Sequence, residues 1–88
     1  MKYYNLSLRQ LKTILVVSEQ KKLVKASEFL SLTPPAVTIQ LRQAEEEIGL
    51  ILFDRTSEGL KLTDAGNEVV KCAKKIFGEL NDLNNKLE

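Results

Sequence analysis

The chain has 88 residues and a formal net charge of +1, a length that suits one domain with a single modest core. Hydrophobic residues make up 43% and charged residues 28%, the balance of a soluble globular protein, and no apolar run approaches the roughly 20 residues that span a bilayer. Histidine is absent and Cys72 is the single cysteine, which excludes an internal disulfide, a cysteine-based zinc site and the Ser-His and Cys-His pairs of nucleophilic catalysis. No Gly-rich phosphate loop accompanies the carboxylates, so an enzyme, a metal site and a cofactor are not expected. The opening Met1-Lys2-Tyr3-Tyr4-Asn5-Leu6 lacks the apolar stretch and cleavage site of a secretory signal, and a cytoplasmic protein is expected. A small net charge argues weakly against a nucleic-acid partner, but its distribution is uneven. Arg9, Lys12, Lys21, Lys22 and Lys25 cluster early, whereas Glu45, Glu46 and Glu47 form an acidic block.

Ser7 is placed to cap a first helix from about Leu8 to Gln20, with Leu8, Leu11, Ile14, Leu15 and Ser18 on its inner face. Glu19-Gln20-Lys21-Lys22 reads as a short turn. A second, brief helix covers Val24 to Leu30 and directs Leu23, Ala26, Phe29 and Leu30 inward, without a capping side chain at its start. Ser31-Leu32-Thr33 is the next turn. Thr33 caps a third helix in which Pro34 and Pro35 occupy the first turn, where proline is tolerated. This helix is expected to run to about Ile48, with Gly49 as its left-handed stop.

At 100° per residue the third helix divides into two faces. Val37, Leu41, Ala44 and Ile48 form a narrow apolar stripe for the core. Pro35, Thr38, Ile39 and Arg42 lie on another face, with Pro34 beside them, and supply the hydroxyl, guanidinium and methyl groups that read base edges in a major groove. An ordinary solvated helix face is the alternative. Ile39 weighs against it, because an exposed β-branched apolar residue calls for a partner, and a thymine methyl suits it.

Leu50 to Asp54 is short and apolar, Arg55-Thr56-Ser57-Glu58-Gly59 reads as a turn, and Leu60-Lys61-Leu62 alternates, together predicting a β-hairpin. Arg55 at its tip, with Thr56, is a candidate for a phosphate or minor-groove contact; a solvated turn arginine fits the spacing equally well. Thr63 then caps a long helix whose first turn carries Asp64. Its apolar positions Val69, Ala73, Ile76, Leu80, Leu83 and Leu87 are spaced 4, 3, 4, 3, 4, a heptad seam. With Phe77 alongside, that seam predicts a partner helix, most simply the same helix of a second chain; packing within one monomer is the alternative. Cys72 flanks the seam as a small packed group, and Gly78 is a candidate for a close helix approach.

The stretch Leu8 to Gly66 resembles the N-terminal domain of the LysR family of transcriptional regulators. The resemblance is carried by Leu8-Arg9-Gln10-Leu11, Lys25-Ala26-Ser27-Glu28-Phe29-Leu30, Thr33-Pro34-Pro35-Ala36-Val37-Thr38-Ile39-Gln40-Leu41-Arg42, Glu45-Glu46-Glu47-Ile48-Gly49, Leu52-Phe53-Asp54-Arg55 and Leu62-Thr63-Asp64-Ala65-Gly66, in that order. It implies a mainly α winged helix-turn-helix, a three-helix core plus a short β-hairpin wing, over residues 1–62. A linker and dimerisation helix over 63–88 follows. It also implies that Thr33, Pro34, Pro35, Thr38, Ile39 and Arg42 approach double-stranded DNA, that Arg55 serves the wing, and that linker helices pair antiparallel in a homodimer, with a higher oligomer open to the full-length protein. Family members commonly have Gln at the position of Pro34 and a polar or basic residue at that of Ile39, so readout there must be apolar or rest on shape. The Thr-Pro-Pro-Ala-Val run looks like family members that regulate carbon-fixation operons. Because family chains continue into an effector-binding domain, this chain is expected to be a piece of a longer one, with no membrane contact and no small-molecule site of its own. The rivals are a helical protein-docking module, which explains the seam but not the Thr38–Arg42 face, a small enzyme, and another winged-helix family.

Overall fold

The computed structural model describes residues 4–88; Met1, Lys2 and Tyr3, at the head of the expected 1–62 unit, lie outside the described residues. Four helices and one hairpin follow in the order α1 (Leu8–Gln20), α2 (Leu23–Leu30), α3 (Pro34–Ile48), β1 (Phe53–Thr56), β2 (Gly59–Leu62) and α4 (Asp64–Leu87). α1 starts at a reciprocal cap: Gln10 N–H donates to Ser7 Oγ at 3.0 Å and Ser7 N–H to Gln10 Oε1 at 2.9 Å. Its stop is Lys21 in the left-handed region, whose N–H reaches the Val17 carbonyl. Glu19 and Gln20 therefore complete the helix and are not part of a turn. α2 begins at Leu23 after Lys22, which offers no side-chain cap, as the sequence predicts.

α1 is the central element and packs against α2, α3, α4 and β2. For that reason its buried arc is wider than a single stripe: Leu11, Thr13, Ile14, Val16 and Val17 are buried, Leu15 and Ser18 are half-buried and Leu8 is exposed. Leu8 is thus corrected from an inner to an outer position. α2 meets the core through Ala26 and Ser27, the latter satisfying its hydroxyl on the Val24 carbonyl at 2.7 Å. An inner line through Leu23, Ala26, Ser27 and Leu30 leaves Phe29 well to one side at 100° per residue. Phe29 is 66% exposed, not inward.

Ile14, Val17, Val37 and Leu52 are the largest fully buried aliphatic side chains, and Ala26, Ala44 and Ala73 close the gaps between helices. The hairpin is antiparallel with Phe53 opposite Leu62 and Thr56 opposite Gly59. Its first strand begins later than the apolar run suggests, because Leu50 to Leu52 are committed elsewhere. Leu52 N–H donates to Glu45 Oε2 at 2.8 Å, Thr63 N–H to the Leu52 carbonyl at 3.0 Å, and Thr63 Oγ1 to the Ile51 carbonyl at 2.7 Å. This connector ties the end of α3 to the start of α4. Gly66 sits over it so closely that an added Cβ would collide with the Leu52 carbonyl oxygen.

Candidate nucleic-acid interface

α3 begins where the sequence places it. Thr33 is extended and its Oγ1 accepts from Ala36 N–H at 3.2 Å, and Val37 N–H reaches the Thr33 carbonyl at 3.1 Å. Pro34 and Pro35 have no N–H to offer. Every backbone donor of the first turn is therefore absent or engaged. The helix ends at Gly49, left-handed at φ 83°.

Burial separates the faces of α3. Val37, Leu41 and Ala44 are buried and Ile48 half-buried, whereas Thr33, Pro35, Ile39 and Arg42 are exposed and Pro34 and Thr38 half-buried. The phase of the helix is also held by a polar contact that sequence reasoning missed. Thr13, buried in α1, donates through Oγ1 to Gln40 Oε1 in a short bond between the two helices. Nothing in the local pattern of α1 singles out Thr13, because its partner lies 27 residues away in α3.

Thr38 and Arg42 border a small cleft together with Arg55 of β1, between Leu23 of α2 and Leu60 of β2. The outward side of α3 and the hairpin thus converge. Arg55 is inside β1 opposite Leu60, not at the hairpin tip. The tip is the Ser57-Glu58 turn, and Thr56 shapes it, donating to the Gly59 carbonyl at 2.8 Å and accepting from Glu58 N–H at 3.2 Å. The Thr56 hydroxyl is occupied by this turn. Among the described residues the one ion pair is Lys71 with Glu68, so the Arg42 and Arg55 guanidinium groups hold no carboxylate. The hairpin is fastened to the body beside its tip: Leu60 N–H donates to the Lys21 carbonyl at 2.8 Å, and Gly59, at φ 122°, passes so near that a Cβ would lie 2.5 Å from that oxygen.

α4 is capped by Thr63, whose Oγ1 accepts from Gly66 N–H at 3.0 Å. The seam divides midway. Val70 and Ala73 are buried within the chain and Val69 packs on the core, so Ala73, at 0% exposure, is corrected from an intermolecular to an intramolecular contact. Ile76 and Phe77 are half-buried, and Leu80, Leu83 and Leu87 are exposed. Cys72 is exposed and not packed. Gly78 has nothing within 4 Å of an added Cβ, so no element among the described residues uses it for close approach. No helix among the described residues is long and apolar enough to cross a membrane.

The family model described as bacterial regulatory helix-turn-helix protein, lysR family, matches residues 8–67. The chain belongs to the LysR family. Among relatives of this LysR domain, the HTH-type transcriptional regulator CfxR of Cupriavidus necator is 39% identical over 83 residues, 94% of this chain and 26% of its own. The RuBisCO operon transcriptional regulator of Allochromatium vinosum is 40% identical over 84 residues, 96% of this chain and 28% of its own. The chain therefore spans about a quarter of the length of these curated relatives. The solved structure of the CbnR DNA-binding domain in complex with DNA superposes with a TM-score of 0.85 at 27% identity, covering 92% of this chain and 93% of that one. The BenM DNA-binding domain on catB site 1 DNA gives 0.87 at 27% identity, covering 93% and 92%. The family model ends at residue 67, whereas the alignments to these relatives and the superpositions take in most of α4 as well.

Proposed function

We propose that this LysR domain reads double-stranded DNA for a transcriptional regulator, laying α3 in a major groove while the hairpin holds the flanking backbone as a wing. The outward side of α3 supports this most directly. Thr38, Ile39 and Arg42 face away from the core beside Arg55, and neither arginine is in an ion pair among the described residues, with Glu45 of the same cleft turned to Leu52 N–H. Thr33, Pro34 and Pro35 enter first at the helix N-terminus, Arg42 follows, and Arg55 makes the wing contact beside Thr56, whose hydroxyl holds the turn. Phosphate contacts fix register and give salt-dependent affinity, and the helix selects sequence.

The second half of α4, with Ile76, Phe77, Leu80, Leu83 and Leu87, pairs with the same helix of a second chain, while Val69 packs on the core of its own. Residues 63–88 then serve as linker and dimerisation helix. Two-fold symmetry gives a dyad-like site with half-sites about one helical turn or a multiple apart. The relatives named for RuBisCO and its operon support a role in regulating carbon-fixation genes. Such a regulator performs no chemistry of its own and acts in the cytoplasm.

The test is selection of bound duplexes from a random pool, followed by mobility-shift titration at two salt concentrations. A dyad-symmetric enriched site is expected. Arg42→Ala and Arg55→Ala each weaken binding by about 1–3 kcal/mol where they contact bases, and by less, independent of sequence, where they touch phosphate. Unchanged affinity in both variants at matched salt removes the proposed interface; a protein-docking module gives no shift at either salt.

A further inference from the structure

We infer that the outward side of α3 recognises thymine through its 5-methyl group, with Ile39 and Pro35 as the contact surface. The inference rests on α3 being the groove-facing helix. It follows from what that side does and does not offer. Pro34 and Pro35 carry no N–H, Ala36 N–H is held by Thr33 Oγ1 and Val37 N–H by the Thr33 carbonyl, so the first turn brings no backbone donor to a base or phosphate. Gln40, the amide nearest the helix N-terminus, is turned inward onto Thr13. What remains around the entry point is Pro35 and Ile39, flanked by Thr38 and, one turn on, Arg42.

Ile39 is 55% exposed although the core of α3 is already completed by Val37, Leu41 and Ala44. A β-branched side chain left in water on a helix gains neither packing nor helix propensity. In a major groove the apolar feature displayed by base edges is the thymine methyl, beside its O4 acceptor; guanine, cytosine and adenine present donors and acceptors without a methyl that Ile39 and Pro35 can cover. A guanine or cytosine opposite Ile39 leaves desolvated polar atoms without partners, which penalises it. The surface therefore selects thymine by contact and rejects its competitors by their unpaired polar groups, while Arg42 supplies the polar contact deeper in the site.

The experiment replaces thymine by deoxyuridine, position by position, in the duplex enriched from the random pool, and titrates the chain on each. Removing one methyl from apolar contact is expected to weaken binding about fourfold at one or two positions in each half-site. Ile39→Ala, an exposed change whose fold is checked by circular dichroism and thermal melting, is expected to bind the thymine and uracil duplexes alike. Uracil at every position changing affinity less than about twofold, a difference below one CH₂ of burial, overturns the inference, as does an Ile39→Ala variant that keeps the full uracil penalty. Arg42→Ala on the same duplex separates the two failures. If it weakens binding while uracil has no effect, α3 still enters the groove but does not read methyls; if neither matters, or the pool enriches nothing, both readings fall.

Discussion

Gly66 and Gly78 lie in the same helix, and replacing each by alanine is expected to shift stability in opposite directions. Alanine is favoured over glycine inside a helix by about 1 kcal/mol. At Gly78 an added Cβ meets nothing within 4 Å, and at 100° per residue this position is opposite the Ile76, Leu80, Leu83 and Leu87 seam. Gly78→Ala is expected to gain close to the whole increment. At Gly66 the Cβ would fall on the Leu52 carbonyl oxygen, with Leu62 Cδ2 at 2.9 Å and the Leu52 carbonyl carbon at 3.1 Å. Two of these atoms are backbone and cannot step aside, so the start of α4 must lift away from the connector. Lifting it strains or breaks the Thr63 bonds to the Leu52 and Ile51 carbonyls, about 1 kcal/mol each, and overpacking adds about 1–3 kcal/mol. Set against the helix gain, the net loss is about 3 kcal/mol. Urea titration read by circular dichroism gives both values, and a fall in Tm of more than about 10 °C accompanies a loss of that size in a domain this small. A Gly66→Ala variant as stable as the parent would refute the docking geometry of α4, and with it the rigid connection between the body and the seam.

Thr13→Val keeps the shape of a buried side chain but leaves Gln40 without its donor; a stability loss of about 1–2 kcal/mol by denaturant titration is expected, together with weaker binding to the enriched duplex. An unchanged melt shows that the bond does not hold the two helices. Leu83→Asp places a charge on the exposed end of the seam and is expected to give monomers by analytical ultracentrifugation at concentrations where the parent dimerises. Monomer stability should change by less than about 0.5 kcal/mol, because the site is on the surface; a variant that still dimerises places the partner contact elsewhere.

What was readable in the sequence is what local pattern controls. Thr33, the paired prolines and Gly49 bracket α3 at both ends because capping and left-handed stops are decided within a few residues. Thr63 starts α4 for the same reason. The division of α3 into Val37, Leu41 and Ala44 against Thr38, Ile39 and Arg42 follows from helical period alone. The errors share a different origin. Phe29 is apolar yet exposed because the small Ala26 and Ser27 let α2 approach α1 closely, a matter of which helix lies alongside. Leu50 and Ile51 look like strand but serve a connector whose hydrogen bonds go to Glu45 and Thr63. Ala73 fits the heptad and belongs to the monomer core, since a seam cannot announce where its own chain stops covering it.

The acidic block illustrates how the same residues change meaning once their partners are known. Glu45, Glu46 and Glu47 are three of the twelve acidic residues that offset thirteen basic ones, and as a block they oppose a phosphate backbone on paper. In the fold, Glu45 Oε2 accepts from Leu52 N–H at 2.8 Å and Glu47 Oε2 from Asn5 N–H at 2.9 Å. Both carboxylates are spent on backbone donors that hold the end of α3 and the entry to α1. Glu46 and Glu47 are both exposed, and Glu46 lies beyond Arg42 on the same side of the helix. Negative charge is thus concentrated at the C-terminal end of α3, where it disfavours approach of a phosphate, and the N-terminal end carries none. A helix charged in this way is admitted to a groove by its N-terminus, which is where Pro35, Thr38 and Ile39 stand. The near-zero net charge of the chain is therefore compatible with the proposed DNA binding, because these three glutamates lie away from the end of α3 that would enter the groove.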